Sequence, residues 1–380
     1  ITGMDICKAI KTSPALKHIK VIVVSGKSYQ VEKQRAVQFG ADFFLSKPYN
    51  VETFSRTIKS IMDGVVSAKD IPSPADPSPA PAPEPAGSPQ ASDLAPGQLR
   101  VSVWGARGFP RTVPNSASRY GRQTSCLSVE TASNLFIFDA GTGIVPLGAE
   151  IAARKRYYKD IWIFLTHFHL GHVIGLSGFK PAQEPGFTLH IIGANDPERS
   201  LKEVTQSAFY SSFSMARQAP KAKLNIYEVM ADNYEIMDGV KLATMYANHQ
   251  TSALVYSLET MGKKIVYAPD SEIWGDATAF QDYDERLADF SKNADLLVHD
   301  CMYSDADYEK HKKEGHSGLS IVVDFAGEKA QAKSLLLAHL NPGYSDEELD
   351  KMLADAGSRV RSRGYALNCG LAEETKTFML

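Results

Sequence analysis

At 380 residues, with 22% charged residues and a formal net charge of -3, the chain is too long for one ordinary core and carries no global attraction for nucleic acid. Four cysteines (Cys7, Cys126, Cys301, Cys369) lie scattered, with no CxxC pair and no secretory signal, which argues against a disulfide framework. No apolar run approaches the ~20 residues that span a bilayer, so a cytoplasmic protein of two or more domains with no membrane partner is expected.

In chain order, Lys20 to Gly26 is a short apolar run ended by glycine, as in a parallel strand covered on both faces. A helix from about Gln30 to Gln38 is expected next, then a strand at Phe43-Phe44-Leu45 ending at Ser46-Lys47-Pro48. Asn50 is expected to cap a further helix that buries Phe54, Ile58 and Ile61 and stops at Gly64. This order is half of a doubly wound α/β domain. Gly3-Met4-Asp5, Val24-Ser25-Gly26, Gly40-Ala41-Asp42 and Ser46-Lys47-Pro48 resemble the second half of a response-regulator receiver domain. By that resemblance, Ser25 and Lys47 match positions that contact a phosphoryl group, and a sensor histidine kinase is the implied partner of the full-length protein. The phosphoacceptor aspartate would precede Ile1, so the chain is expected to be a piece of a longer one.

Residues 1–64 are thus read as a partial receiver-like domain and 65–98 as a linker. Nine of the twenty prolines fall between Ile71 and Gly97, interleaved with Ala, Ser and Asp, a composition that cannot build a core. Control across such a tether would pass through docking or through a homodimer.

From residue 99 strand signals dominate: Arg100 to Trp104, Cys126 to Glu130, Leu135 to Phe138, Val240 to Ala247, Ala253 to Leu258, Lys264 to Ala268, Leu296 to His299 and Ser334 to Ala338. Helices are expected from about Ile144, Thr278, Ser317 and Ser345, the last opening with a capping box of Ser345 and Glu348. Two groups of strands with helices after each predict two sheets packed face to face between helical layers. The stretch from Pro197 to Pro220 is expected to form a helical flap over the site, its aromatics packing or stacking on a base.

The densest chemistry follows the apolar run Ile161 to Leu165, where Thr166-His167-Phe168-His169-Leu170-Gly171-His172 places three of the ten histidines within six residues. His167 and His169 alternate, so in an extended loop both rings point the same way, and His172 can turn to a neighbouring position. That is metal-ligand spacing. His249, Asp270 and His339 each follow the tip of an apolar strand. Strand tips that converge on one edge would assemble imidazoles and one bridging carboxylate into a metal cage.

This pattern resembles the metallo-β-lactamase fold over residues 99–380, nearest the branch of ribonuclease Z and cyclic-phosphate phosphodiesterases. The stretches that carry the resemblance are Trp104 to Gly108, Arg119 to Cys126, Asp139 to Gly143, His299-Asp300 and Gly315-His316-Ser317. The fold class implied is α/β: a truncated doubly wound receiver-like segment plus an αββα sandwich. The resemblance implies that His167, His169 and His249 hold a first metal, that His172 and His339 hold a second, and that Asp270 bridges them. It implies one or two divalent ions, Zn first with Mn or Fe as alternatives, and a small phosphodiester or nucleotide as substrate. His316 and Asp300 match the places of a histidine and an acidic partner near the scissile phosphate, making them the expected catalytic pair. The family motif is HxHxDH, and Gly171 stands at its aspartate position, so one ligand is lost and weakened activity is expected. Two readings follow: a phosphodiesterase output domain under receiver control, or a catalytically impaired metal- or ligand-binding signalling module. His169 argues against oxygen-reducing di-iron members, which carry glutamate there; thioester hydrolysis stays open.

Overall fold

The structure, a computed structural model, describes residues 3–25, 39–46, 58–59, 94–95, 97–109, 118–153, 158–210, 219–274 and 282–380. It divides into two compact units, one of residues 1–89 with the short segment 232–238, the other of residues 90–231 and 239–380.

In the first unit, helix α1 (Gly3–Thr12) precedes two parallel strands, β1 (Ile22–Ser25) and β2 (Phe43–Ser46), with Ser25 opposite Ser46. Cys7 and Ala41 are buried together, and Lys11 reaches Asp42 at 2.5 Å. The two strands expected here are present and run parallel. Lys47, the expected helix over Gln30 to Gln38, most of the helix after Asn50 and nearly all of the proline-rich stretch lie outside the described residues.

The second unit begins with β3 (Arg100–Gly105), β4 (Cys126–Glu130), β5 (Leu135–Phe138), α2 (Ile144–Ala153), β6 (Asp160–Leu165), the single turn α3 (Leu170–Val173), β7 (Thr188–Ala194), α4 (Leu201–Tyr210) and β8 (Lys223–Val229). After β9 (Asn233–Met237), which lies in the segment grouped with the first unit, come β10 (Val240–Tyr246), β11 (Leu254–Thr260), β12 (Lys263–Ala268), α5 (Tyr283–Ser291) and β13 (Leu296–Asp300). The chain ends with α6 (Asp305–His311), α7 (Leu319–Asp324), β14 (Ser334–Ala338), α8 (Asp346–Arg363), β15 (Asn368–Leu371) and β16 (Thr377–Met379). Among the described residues of this unit two sheets result, ordered β16-β3-β4-β5-β6-β7-β8 and β15-β14-β13-β12-β11-β10.

Alternation along the strands explains how the first sheet is buried on both faces. Leu135, Ile137, Ile161, Ile163 and Leu165 join one apolar cluster with Leu147 and Ile151 of α2 and with Leu201 and Phe209 of α4. The alternate residues point the other way: Phe138 lies 5.1 Å from Tyr267 and Phe164 lies 5.6 Å from Tyr256, ring to ring, on the facing sheet. Tyr256 also donates its hydroxyl to the Leu165 carbonyl at 2.8 Å, so the buried polar tip is satisfied across the sandwich. Each fully buried side chain of this size contributes about 1.5–3 kcal/mol of transfer free energy.

Local signals place most elements where the sequence put them. Ser345 and Glu348 form the expected capping box, and Gly364, with φ 68°, ends α8 in the left-handed conformation. Two expectations need correction. The helix expected from Ser317 starts at Leu319, because the Ser317 hydroxyl instead donates to the Ser271 carbonyl and accepts from the Ile273 amide. The flap expected over Pro197 to Pro220 contains α4, whose Leu201 and Phe209 are buried in the outer cluster of the first sheet, so the helix packs there as a cover. Residues 211–218 of that stretch, and Thr278, where another helix was expected to start, lie outside the described residues. No helix among the described residues is long and apolar enough to cross a membrane.

Candidate metal centre

Strand direction brings the polar tips to one edge. In the first sheet β5 and β6 are parallel neighbours, so Asp139 and His167 emerge side by side. In the second, β12, β13 and β14 run parallel and deliver Asp270, Asp300 and His339. β11 is antiparallel to both β10 and β12, so β10 points the same way and delivers His249. Two of these tips, Asp139 with φ 59° and His339 with φ 55°, adopt the left-handed conformation, which costs of order 1–3 kcal/mol for a residue with a Cβ.

His167 Nε2 lies 2.9 Å from His169 Nδ1, which lies 3.4 Å from His249 Nε2. Hydrogen bonds on the far side of two rings fix which nitrogens carry protons. His249 Nδ1–H donates to the Gly315 carbonyl at 3.1 Å. The Thr166 hydroxyl spends its proton on Asp139, so its oxygen accepts from His167 Nδ1–H at 3.0 Å. Both Nε2 atoms therefore present lone pairs to His169 Nδ1, an arrangement that a proton on that nitrogen or a cation among the three rings satisfies.

The second half of the centre is built around Asp270, 3% exposed, whose Oδ2 lies 3.1 Å from His172 Nε2 and 3.3 Å from His339 Nδ1. That oxygen is buried with no well-formed hydrogen bond, which also fits a cation. Among the described residues, candidate ligand atoms lie within 4.8 Å of one another in three sets: His167, His169 and His249; His167, His172 and Asp270; His249, Asp270 and His316. Burial, before the neighbouring charges, holds His167, His169, His249 and His339 below the ordinary imidazole range, so these rings are neutral near pH 7, the form in which an imidazole can take a metal ion. Burial opposes a charge on His172 too, but Asp270 and Asp139 outweigh it and lift that ring to about 10. Burial alone would raise Asp270; His339, His172 and His167 hold its carboxyl well below the usual range.

His316 stands beside this cage, its ring centroid 5.3 Å from His249 and 5.1 Å from His339. Its Nδ1–H donates to the fully buried Asp300 at 2.6 Å. Burial lifts Asp300 to about 6, while Asp300 in turn overcomes the burial of His316 and lifts it to about 9. The pair thus holds one proton on the imidazole side through neutral pH.

The site is crossed by the segment Arg107-Gly108-Phe109. Arg107 is completely buried and donates to the carbonyls of Asn341 and Tyr344 at 2.9 and 3.0 Å, and the Gly108 amide donates to Leu340 at 2.9 Å. A Cβ on Gly108 would approach His339 Nε2 to 3.1 Å, and a Cβ on Gly171 would fall 2.9 Å from the Phe109 Cβ. The space beside Gly171 is therefore held by Phe109.

Residues 134–340, more than half of the chain, match the family described as "Beta-lactamase superfamily domain". The chain belongs to the metallo-β-lactamase superfamily. It is 34% identical over 273 residues to the ribonuclease Z of Brevibacillus brevis (59% of this chain, 81% of that protein). It is 26% identical over 243 residues to that of Ignicoccus hospitalis (54% and 77%). Among solved structures, the metallo-β-lactamase fold protein YhfI from Bacillus subtilis superposes with a TM-score of 0.55 at 18% identity, covering 74% of this chain and 99% of that one. Unliganded yeast PDE1 gives 0.52 at 13%, with the same coverage. Zn2+-bound PqqB from Methylobacterium extorquens gives 0.50 at 16%, covering 73% and 99%.

All six ligand candidates read from the sequence meet in this superfamily member, and His316 and Asp300 pair beside them. Ser25 ends β1 away from this cluster in the chain and Lys47 is not among the described residues. Sequence reasoning did not assign a role to Asp139, which accepts from His172 Nδ1–H at 2.7 Å and from the Thr166 amide at 2.8 Å. The signal was present, since Asp139 follows the apolar tip of β5 as Asp270 follows β12. Ser125, whose hydroxyl is 3.1 Å from His339 Nδ1, lay within the stretch Arg119 to Cys126 that carries the resemblance but was given no role of its own.

Proposed function

We propose that the second unit is a metal-dependent phosphodiester hydrolase acting on a nucleotide or other small phosphodiester. The observation that carries this reading is His316: a proton-bearing imidazole, held by buried Asp300, directly over a cage of converging histidines. The relatives named ribonuclease Z support the substrate class. His167, His169 and His249 would hold one ion, His172 and His339 a second, with Asp270 between them. A divalent ion there supplies Lewis-acid polarisation of a phosphoryl oxygen and acidifies a water. Imidazole and carboxylate donors suit Zn, with Mn or Fe as alternatives, and the Zn2+-bound PqqB shares the fold.

The chain's own part is positional. Asp139, Thr166 and the Gly315 carbonyl take the far-side protons of His172, His167 and His249; the inner nitrogens of His167 and His249 are left free, and that of His172, a ring lifted to about 10, would give up its proton on taking an ion. His316 Nε2 then delivers its proton to the departing oxygen while Asp300 holds the resulting ring in place.

Gly171 favours a second reading, a metal-binding or ligand-binding signalling module, because Phe109 fills the space where a further carboxylate would stand. Hydrolysis of bis(p-nitrophenyl) phosphate by metal-replete protein, beside His169→Ala, separates the two. Turnover in the parent that is lost in His169→Ala is expected; a parent that binds metal and is silent would favour the module.

Residues 1–64 we read as the output-proximal half of a receiver domain, 65–98 as its linker and 99–380 as the hydrolase. As a receiver-controlled, cytoplasmic hydrolase the protein would use Ser25 and Lys47 to contact a phosphoryl group received from a sensor histidine kinase, with control passing through docking or a homodimer. Supporting this are the parallel pair β1 and β2 and the Ser46-Lys47-Pro48 sequence. Phosphoryl transfer from such a kinase that leaves hydrolysis unchanged would remove the regulatory part of the proposal.

A further inference from the structure

Glu272, two residues beyond Asp270, is 1% exposed and touches no candidate ligand. Its carboxylate instead accepts from the Lys313 amide at 2.6 Å and the Gly315 amide at 2.8 Å, and shares the Tyr308 hydroxyl proton, 3.1 Å away, with the Ile273 carbonyl at 3.1 Å. Both oxygens are used. The two amides belong to a tight loop between α6 and α7 in which Lys313 (φ 70°) and Gly315 (φ 87°) are both left-handed. Alternation of such residues curls a backbone so that its N–H groups face a common anion, and the buried carboxylate is that anion.

What the loop does makes the anchor matter. The Gly315 carbonyl accepts from His249 Nδ1–H, and a Cβ on Gly315 would fall 2.6 Å from that nitrogen, so loop and ring are in close contact. The next residue is His316. At its far end the loop is pinned by Asp300, whose Oδ1 accepts from the Ser317 amide at 3.2 Å. Glu272 also ties back to the other side of the same ring: its amide donates to the Asn248 carbonyl at 3.0 Å, and Asn248 Nδ2 donates to the Glu272 carbonyl at 2.9 Å.

We propose that Glu272 is a positioning residue for the metal centre: by gripping the Lys313 and Gly315 amides it sets the Gly315 carbonyl that orients His249 and fixes its tautomer. His316 keeps its own anchor in Asp300, so the consequence falls on metal binding before it falls on proton delivery. Hydrogen-bonding partners one step behind a ligand set metal affinity over 10–100-fold ranges, because they hold ring orientation and proton position. Here the partner is one step further back still, acting through backbone that has little freedom once both ends are pinned. This inference rests on the metal reading of the site, and not on the identity of its substrate.

The test uses the full chain with Zn2+ as the probe, its affinity read by competition with a chromophoric chelator. Glu272→Gln keeps size and burial but turns one acceptor into a donor facing a backbone N–H. Zn2+ affinity is expected to fall on the order of 10-fold or more. In bis(p-nitrophenyl) phosphate hydrolysis at saturating Zn2+, kcat should fall while KM changes by less than about threefold. A Glu272→Gln protein that melts earlier in the metal-free state yet binds Zn2+ within threefold of the parent overturns the proposal, since that is what a purely structural carboxylate would do. If Glu272→Gln does not fold, Tyr308→Phe decides: it removes one donor to Glu272 and leaves the ring packed. A threefold or greater loss of Zn2+ affinity supports the anchor, and unchanged affinity overturns it. A parent that binds Zn2+ but hydrolyses no phosphodiester removes the hydrolase reading while leaving the affinity comparison to decide on Glu272. A parent that binds no divalent ion overturns both.

Discussion

His316 Nδ1 lies 2.6 Å from Asp300 Oδ2, and Asp300 is completely buried at the tip of β13. The same carboxylate accepts from the Met302 and Ser317 amides, so its direction is fixed by backbone on both sides of the ring it holds. A proton donor so placed matters most when the departing oxygen is a strong base. We expect His316→Ala to lose roughly 100-fold or more in kcat with an alkyl leaving group and much less with p-nitrophenolate, at unchanged metal content. Equal losses with both leaving groups would assign His316 to metal binding, as its place near His249 and Asp270 also permits.

Gly171 and Phe109 are predicted to be coupled. A Cβ on Gly171 would sit 2.9 Å from the Phe109 Cβ, an atom too close to the backbone to swing aside. Gly171→Asp alone should therefore destabilise by about 1–3 kcal/mol, the usual range for overpacking, without tightening metal binding. Combined with Phe109→Gly, which removes that Cβ, it should recover stability and hold a second ion more firmly. Thermal melts and metal analysis of the four proteins in the cycle check this. Additive effects would show that the two positions are independent.

Asp139 is left-handed at φ 59°, a conformation that Asn tolerates, so Asp139→Asn should leave the backbone intact. It removes the charge facing His172 and leaves one acceptor oxygen for two demands, the His172 Nδ1–H on one side and the Thr166 amide and hydroxyl on the other. Metal affinity should fall by roughly 10–100-fold with little change in the far-ultraviolet circular dichroism. Affinity equal to the parent's would reduce Asp139 to a packing role.

The pH dependence of stability has a local contributor at the start of α8. Burial opposes the charge on Asp346, but the Ser118 hydroxyl at 2.7 Å, the Arg119 amide and the Arg107 cation hold its carboxyl below the ordinary range. A carboxyl depressed on folding contributes stability above its unfolded pKa of about 3.9 and loses it as pH falls through that value and beyond. Asp346→Asn should thus melt earlier than the parent at pH 7, and the gap should close below about pH 4. A gap that does not narrow as pH falls below about 4 would mean that charge is not its source.

The sequence by itself determined which residues lie at the centre, because each candidate ligand follows an apolar run that must be a buried strand, and such runs end where the sandwich meets water. His167, His249, Asp270 and His339 were legible in this way, as was the capping box at Ser345. Resemblance to the family motif also singled out Gly171, which stands where that motif has aspartate. What it did not reveal was what each ligand leans on. Asp139 behind His172, Ser125 behind His339 and Glu272 behind the loop at Gly315 are separated from their partners by 33, 214 and 43 residues. No local pattern records such pairings; they exist only because parallel strands of two facing sheets end along one edge. The same holds for Phe109, whose occupation of the space beside Gly171 depends on Arg107 being tied to the carbonyls that follow β14. Periodicity and burial act along the chain and can be read from it, whereas the second layer of a site is made by contacts across the fold.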